Sequence, residues 1–185
     1  MRAAESGDAA AWQEIVESFS GLVWSVIRAY RLGSADAADV FQTVWLRLAE
    51  HLGRIREPDQ VGAWLATTAR REALRVARGQ SRLVPTDRID LFDVGRPGEN
   101  PPEQAVLDAE QAALNSDRAA RLWKAFAGLP ERCQKLLRVL TATPPPSYAE
   151  IAAALDMRIG SIGPTRARCL DQLKRRLAGH VSQTR

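Results

Sequence analysis

The run from Ser147 to Leu177 leaves this chain the least freedom. Ser147 and Glu150 stand at the S-x-x-E spacing of a capping box, in which each side chain satisfies a free amide at a helix start. Ile151, Ala152 and Leu155 follow at helical spacing and predict a short helix with one apolar face. Asp156 falls where that helix has to turn, and Asp tolerates left-handed backbone. Ser161 is placed to cap a second helix, whose apolar line is Ile162, Cys169 or Leu170, Leu173 and Leu177. A capped short helix, a tight turn and a longer helix make a helix-turn-helix, which lays its second helix in the major groove. Over that second helix Arg158, Arg166, Arg168, Lys174, Arg175 and Arg176 oppose a single acid, Asp171. Phosphate neutralisation needs such a surplus. Read as structure only, the same residues make a helical hairpin with a solvated basic face. Charge and fold pattern coincide, and that favours DNA binding.

The chain of 185 residues is 45% hydrophobic, enough to bury a core. Its formal charge of +4 favours an acidic partner such as nucleic acid. Cys133, Cys169, His51 and His180 show no metal-ligand spacing, so no metal or other cofactor is expected. Both cysteines read as reduced helix residues in a cytoplasmic protein, with a disulfide between them the lesser reading. No apolar run reaches transmembrane length and the N-terminus does not read as a signal peptide, so no membrane insertion is expected.

Residues 8 to 32 read as two helices broken near Ser20 or Gly21, with Trp12, Ile15, Val16 and Phe19 on one apolar face and Leu22, Val23, Val26, Ile27 and Tyr30 on the other. A third helix runs from about Ala35 to His51, buried along Val40, Phe41, Val44, Trp45, Leu48 and Leu52. Its opposite face carries Asp39, Gln42, Thr43, Leu46, Arg47 and Glu50. Leu46 lies amid polar neighbours there; taken alone it is a stray apolar residue on a solvated face. A loop with Arg54 and Arg56 leads to a fourth helix, from about Gln60 to Gln80. Arg70, Arg71, Arg75, Arg78 and the following Arg82 accompany one acid, Glu72, and Trp64. Arginine beside tryptophan suits single-stranded nucleic acid, although Trp64 by itself reads as core. From Leu83 to Asp117 eight acids oppose two arginines among prolines and glycines, the composition of a linker. A second helical unit follows, through Leu122, Trp123, Phe126 and Leu129 and then, after Pro130, Leu136, Leu137, Val139 and Leu140.

In this order the pieces resemble a known family. DAADVFQTVWLRL and AWLATTARREAL resemble the second conserved region of extracytoplasmic-function (ECF) sigma factors and the stretch after it. LPERCQKLL and SYAEIAAALDMRIGSI resemble their C-terminal region. The resemblance implies an all-α protein of two small helical domains: region 2 over residues 1–82, an acidic linker over 83–117, and a region 4 helix-turn-helix domain over 118–185. It implies a dissociable subunit of bacterial RNA polymerase, not an enzyme, that directs initiation through −10 and −35 elements under an anti-sigma factor. Its partners would be core polymerase, through the clamp helices and the flap, and promoter DNA.

Residue by residue, the resemblance makes Asp39, Gln42, Thr43, Leu46 and Arg47 the clamp-docking surface, with Leu46 as its anchor. It assigns Arg54, Arg56, Trp64, Arg70, Arg71, Arg75 and Arg78 to −10 DNA, and Arg158, Ser161, Thr165, Arg166, Arg168, Lys174 and Arg175 to −35 DNA, with Thr165 and Arg168 foremost. The chain departs from the pattern in places. Thr43 stands where Glu is usual, Arg71 and Arg75 where Asn and Asp are frequent, and Ala63 where housekeeping relatives have a second Trp. Gly163-Pro164-Thr165 replaces Lys-Ser-Arg at the recognition helix, and Arg166 stands where an apolar residue is common. A stand-alone helix-turn-helix regulator is the alternative; it would need a dimer surface or effector domain that the N-terminal half does not suggest.

Overall fold

A computed structural model describes residues 8–55, 57–80, 116 and 118–181. Among these residues there are seven α-helices, two short 3-10 turns and no strand. The expected all-α class is what forms. Most of the linker, 83–115 and 117, lies outside the described residues.

Helix α1 (Ala9–Arg28) is capped by Asp8, whose Oδ1 accepts from the amides of Ala10 and Ala11 at 2.9 and 3.2 Å. It is one continuous helix, not the two that Ser20 and Gly21 suggested. Ser20 donates its hydroxyl to the Val16 carbonyl and stays within the helix. Gly21 serves close approach instead: a Cβ there would land on the carbonyl oxygen of Thr143. The chain leaves α1 through Arg31, a non-glycine residue at φ 54°. Helix α2 (Ser34–His51) buries Ala37, Val40, Val44 and Leu48, one stripe at i, i+3, i+7 and i+11. Trp24 stacks on Phe41 with ring centroids 4.5 Å apart, and Trp12 and Trp45 continue the aromatic row where α1 crosses α2. Two 3-10 turns (Leu52–Arg54 and Pro58–Gln60) lead into α3 (Val61–Gln80). Gly62, Ala66, Ala69 and Ala73 are all buried on α3, and small side chains on that face let its neighbours come close.

Helices α4 (118–127), α5 (Glu131–Leu140), α6 (Tyr148–Leu155) and α7 (Ile159–Val181) complete the described fold. The capping box forms as the spacing predicts. Glu150 N donates to Ser147 Oγ at 3.2 Å and Ser147 N to Glu150 Oε2 at 2.6 Å. Asp156 then turns the chain with φ 55° and ψ 50°. The second helix starts at Ile159, two residues before the expected cap; Ser161 is inside it and donates its hydroxyl to the Arg158 carbonyl at 2.7 Å.

The two helical groups do not stand apart. Buried residues of α1–α3 and of α4–α7 form one continuous apolar core, and α3 makes its broadest contact with α6. Polar groups cross the same seam. Gln134 is 4 % exposed and donates Nε2 to the carbonyls of Ala127 and Leu129 at 2.9 and 2.8 Å, while its Oε1 accepts from Arg31. Tyr30 donates to the Ala154 carbonyl at 3.4 Å, and Lys135 Nζ sits 4.5 Å from its ring centroid. Burial pushes the Tyr30 phenol above its ordinary value; the Arg70 guanidinium opposes this, and Asp156 and Glu131 add to it.

One expectation is reversed. Cys133 of α5 and Cys169 of α7 are joined in a disulfide, not held as separate thiols. Both side chains face the buried α5–α7 seam, where their Cα atoms lie 5.3 Å apart, within bridging range. The bond closes a loop of sequence separation 36. Loop-closure entropy then makes the reduced protein less stable by about 3–4 kcal/mol. Thermal unfolding should show a lower Tm under thiol reductant than without it, and Cys133→Ser should match the reduced form in both buffers. Identical melting of all samples would mean the two sulfurs are not bonded in solution.

Candidate polymerase and promoter surfaces

On α2 the candidate docking residues share the outer face. Asp39, Gln42, Leu46 and Arg47 are exposed, and Thr43 is half-buried with its hydroxyl donating to the Asp39 carbonyl at 2.8 Å. Leu46 is 65% exposed, an apolar side chain in water within a polar ring. Arg47 is partly committed to the scaffold. Its Nη2 lies 2.9 Å from Glu72 Oε1, and Arg75 Nε lies 2.9 Å from Glu72 Oε2. Glu72 is 5% exposed. A carboxylate buried on α3 therefore holds one arginine from each helix and fixes the base of the candidate docking face.

Around α3 the −10 candidates divide. Trp64, Arg71, Arg75 and Arg78 recur at i, i+7, i+11 and i+14, one stripe of an α-helix. The three arginines are exposed and Trp64 is half-buried, its ring 5.9 Å from that of His51. Arg54 is exposed at the end of the first 3-10 turn. Arg56 lies outside the described residues. Arg70 points a quarter-turn away from the stripe. Its Nη1 meets Asp156 Oδ2 at 3.2 Å, across the seam between α3 and the turn after α6. Its side chain is only 20% exposed. In this arrangement Arg70 binds the C-terminal helices and is not offered to DNA with the other four.

The −35 candidates also separate. Arg158, Arg166, Arg168, Lys174 and Arg175 are exposed, and Ser161 is half-buried. Thr165 is 6% exposed and lies inward with Ile162 and Cys169, which corrects its reading as a leading base contact. Positions 162, 165 and 169 recur at i, i+3 and i+7 and share the inner face. Arg166 accordingly sits outside. Arg168 Nη2 lies 3.5 Å from Thr165 Oγ1, and Arg175 pairs with Asp171 at 3.1 Å. A side chain added at Gly160 or Gly163 would meet nothing, so the first turns of α7 present an open surface poor in side chains. Pro164 is the sixth residue of α7, beyond the first-turn place where its missing N–H does no harm.

Sequence reasoning missed the roles of Glu72 and of the seam residues Arg31, Gln134 and Asp156. Glu72 carried a faint signal as the one acid among the arginines of α3.

Residues 15–83 match the family model for Sigma-70 region 2. The N-terminal helices are thus similar to a sigma-70 region 2. No curated protein sequence matches the chain at a significant level. Among solved structures, the fold is similar to that of CnrH in complex with the cytosolic domain of CnrY. The TM-score is 0.57 at 20% identity, over 95% of this chain and 93% of that one. The family model covers the N-terminal helices, and the likeness to CnrH is one of fold along nearly the whole chain. Among the described residues no helix is long and apolar enough to cross a membrane.

Glu72→Gln should test the buried carboxylate. It removes the charge between two largely solvated arginines, so solvent screening limits the loss to about 1–2 kcal/mol. That corresponds to a Tm drop of roughly 2–8 °C for a chain of this size. An unchanged Tm would show that Glu72 does not anchor the two helices.

Proposed function

We propose that the chain binds core RNA polymerase through the outer face of α2 and directs initiation at a restricted promoter set. The observation that carries this reading is the sigma-70 region 2 match over residues 15–83, whose second helix exposes Leu46 amid Asp39, Gln42, Thr43 and Arg47. The clamp helices of the polymerase are the docking partner of that face. Region 2 extends over residues 1–82 and region 4 over 118–185, with the acidic stretch between them as tether. The protein works in the cytoplasm, where the polymerase is.

Promoter DNA is met on two surfaces. The exposed stripe of Trp64, Arg71, Arg75 and Arg78, with Arg54 and Arg56 nearby in sequence, takes the −10 element through stacking and backbone charge. Arg70 joins it only when its bond to Asp156 is released. The exposed Arg158, just before α7, and Arg166, Arg168, Lys174 and Arg175 on it take the −35 element, and the C-terminal helices touch the polymerase flap. An anti-sigma factor holds the protein in check. The similar fold of CnrH, solved with the cytosolic domain of CnrY, supports a protein partner of that kind.

Reconstitution tests the reading. Mixed with core polymerase and a genomic library of linear promoter fragments, the protein should yield discrete run-off transcripts. Leu46→Asp, which sets a charge at the centre of the docking patch, should fold normally yet neither co-purify with core nor support transcripts. A stand-alone regulator would bind duplex DNA and start no RNA, and that result would sink the proposal.

Arg168→Ala should weaken binding to the matched −35 sequence by about 1–3 kcal/mol, the worth of a bidentate base contact. An equal loss on matched and scrambled sequences would reduce Arg168 to a phosphate contact.

A further inference from the structure

Glu72 is the single acid of α3, a helix that carries four arginines, and its side chain is only 6% exposed. A carboxylate in that position is costly unless it is paired. Its neighbours on either side along the helix face, Ala69 and Ala73, are buried and small, so packing alone does not ask for a charge there. What the charge does supply is a hold on two guanidiniums, Arg47 from α2 and Arg75 from α3.

The two bonds are unlike. Arg47 is held by a terminal nitrogen, Nη2, whereas Arg75 is held by Nε. The Nε bond leaves the fork of Nη1 and Nη2 for another acceptor, on a side chain that is 69% exposed. An exposed arginine spreads over many rotamers; one anchored at Nε by a buried carboxylate has already lost that freedom and meets its next partner in a fixed direction. The same carboxylate also takes charge away, leaving one net positive charge where two arginines stand.

We propose that Glu72 sets the selectivity of the α3 stripe for single-stranded nucleic acid. It does not touch the strand and is a positioning residue that acts through Arg75. By aiming the Arg75 fork it fixes which phosphate or base edge that side chain meets. By cancelling one charge it lowers the affinity of the stripe for strands of any sequence, since unrestrained charge attracts every backbone alike. Glu72 therefore gives up general affinity and gains discrimination. The inference rests on the reading of Trp64, Arg71, Arg75 and Arg78 as the −10 surface.

The probes are a labelled single-stranded DNA enriched from a random pool by the wild-type full chain and a scrambled strand of the same composition. Fluorescence anisotropy gives the affinity of each variant for both, well below its Tm and with its helicity checked by circular dichroism. Glu72→Gln should bind the scrambled strand about two- to fivefold more tightly than wild type, the worth of one exposed charge pair. That gain should shrink as salt is added. Its preference for the enriched strand should fall by a similar factor. Glu72→Asp keeps the charge and shortens the arm, so it should lose preference without gaining affinity for the scrambled strand; it decides the matter if Glu72→Gln does not fold. In an Arg75→Gln background Glu72→Gln should leave the preference unchanged, because no anchored fork remains to be released. A residue that only braced the helices would weaken both strands equally when replaced, and that result, or an undiminished preference in the Glu72 variants, overturns the proposal while leaving the −10 reading in place. A wild-type chain that takes neither strand overturns the −10 reading and the proposal with it.

Discussion

Where α6 begins, the Glu150 carboxylate lies against the bare backbone of Gly62 on α3, and the packing of the two helical groups depends on that contact. A Cβ on Gly62 would strike the carboxylate and the ring of Phe19. The same carboxylate closes the capping box on Ser147, so it is not free to swing away. One residue thus starts the helix-turn-helix and sets its distance from the N-terminal helices. With α6 seated there, Asp156 reaches Arg70 and the Ala154 carbonyl reaches Tyr30. Gly21 repeats the device at the Thr143 carbonyl, where α1 meets the loop after α5. Both glycines matter for what they lack, because packed interiors leave no room for an added carbon.

The polar groups inside this arrangement follow a rule that the candidate surfaces do not. Gln134 spends both amide hydrogens and its oxygen on three partners, and Glu72 spends both oxygens on two arginines. Unpaired buried groups would be costly, so such residues tie helices together. The surfaces assigned to partners instead leave side chains to solvent: Leu46 on α2, Arg71 and Arg78 on α3, Arg166 and Lys174 on α7. Arg47 and Arg75 belong to both groups, since each is exposed and each is tethered to Glu72. The scaffold therefore extends up to the candidate docking face and holds it at fixed geometry. Arg138 fits neither group, being buried in part and yet unmatched.

Much of this was legible in the chain. The capping box, the left-handed turn at Asp156, the apolar stripes of α2 and α6 and the exposed position of Leu46 all follow from spacing, because helix periodicity and cap chemistry are local. The errors have a common source. Ser20 and Gly21 looked like a helix break, yet α1 runs through them because Gly21 answers to Thr143, far away in sequence. Thr165 looked like a base reader, yet it shares the buried face of Ile162 and Cys169. Cys133 and Cys169 looked like separate thiols, yet the α5–α7 seam brings them together.

What the sequence by itself determined was the helical class, the caps and turns, and which residue types could meet an acidic partner, since these depend on neighbours within a few positions. The tertiary structure alone decided which arginines remain available. Arg70 is drawn to Asp156, Arg31 to Gln134, and Arg71 and Arg78 stay exposed. A charge acts on whatever folding places within a few ångströms of it, and separation along the chain does not encode that distance.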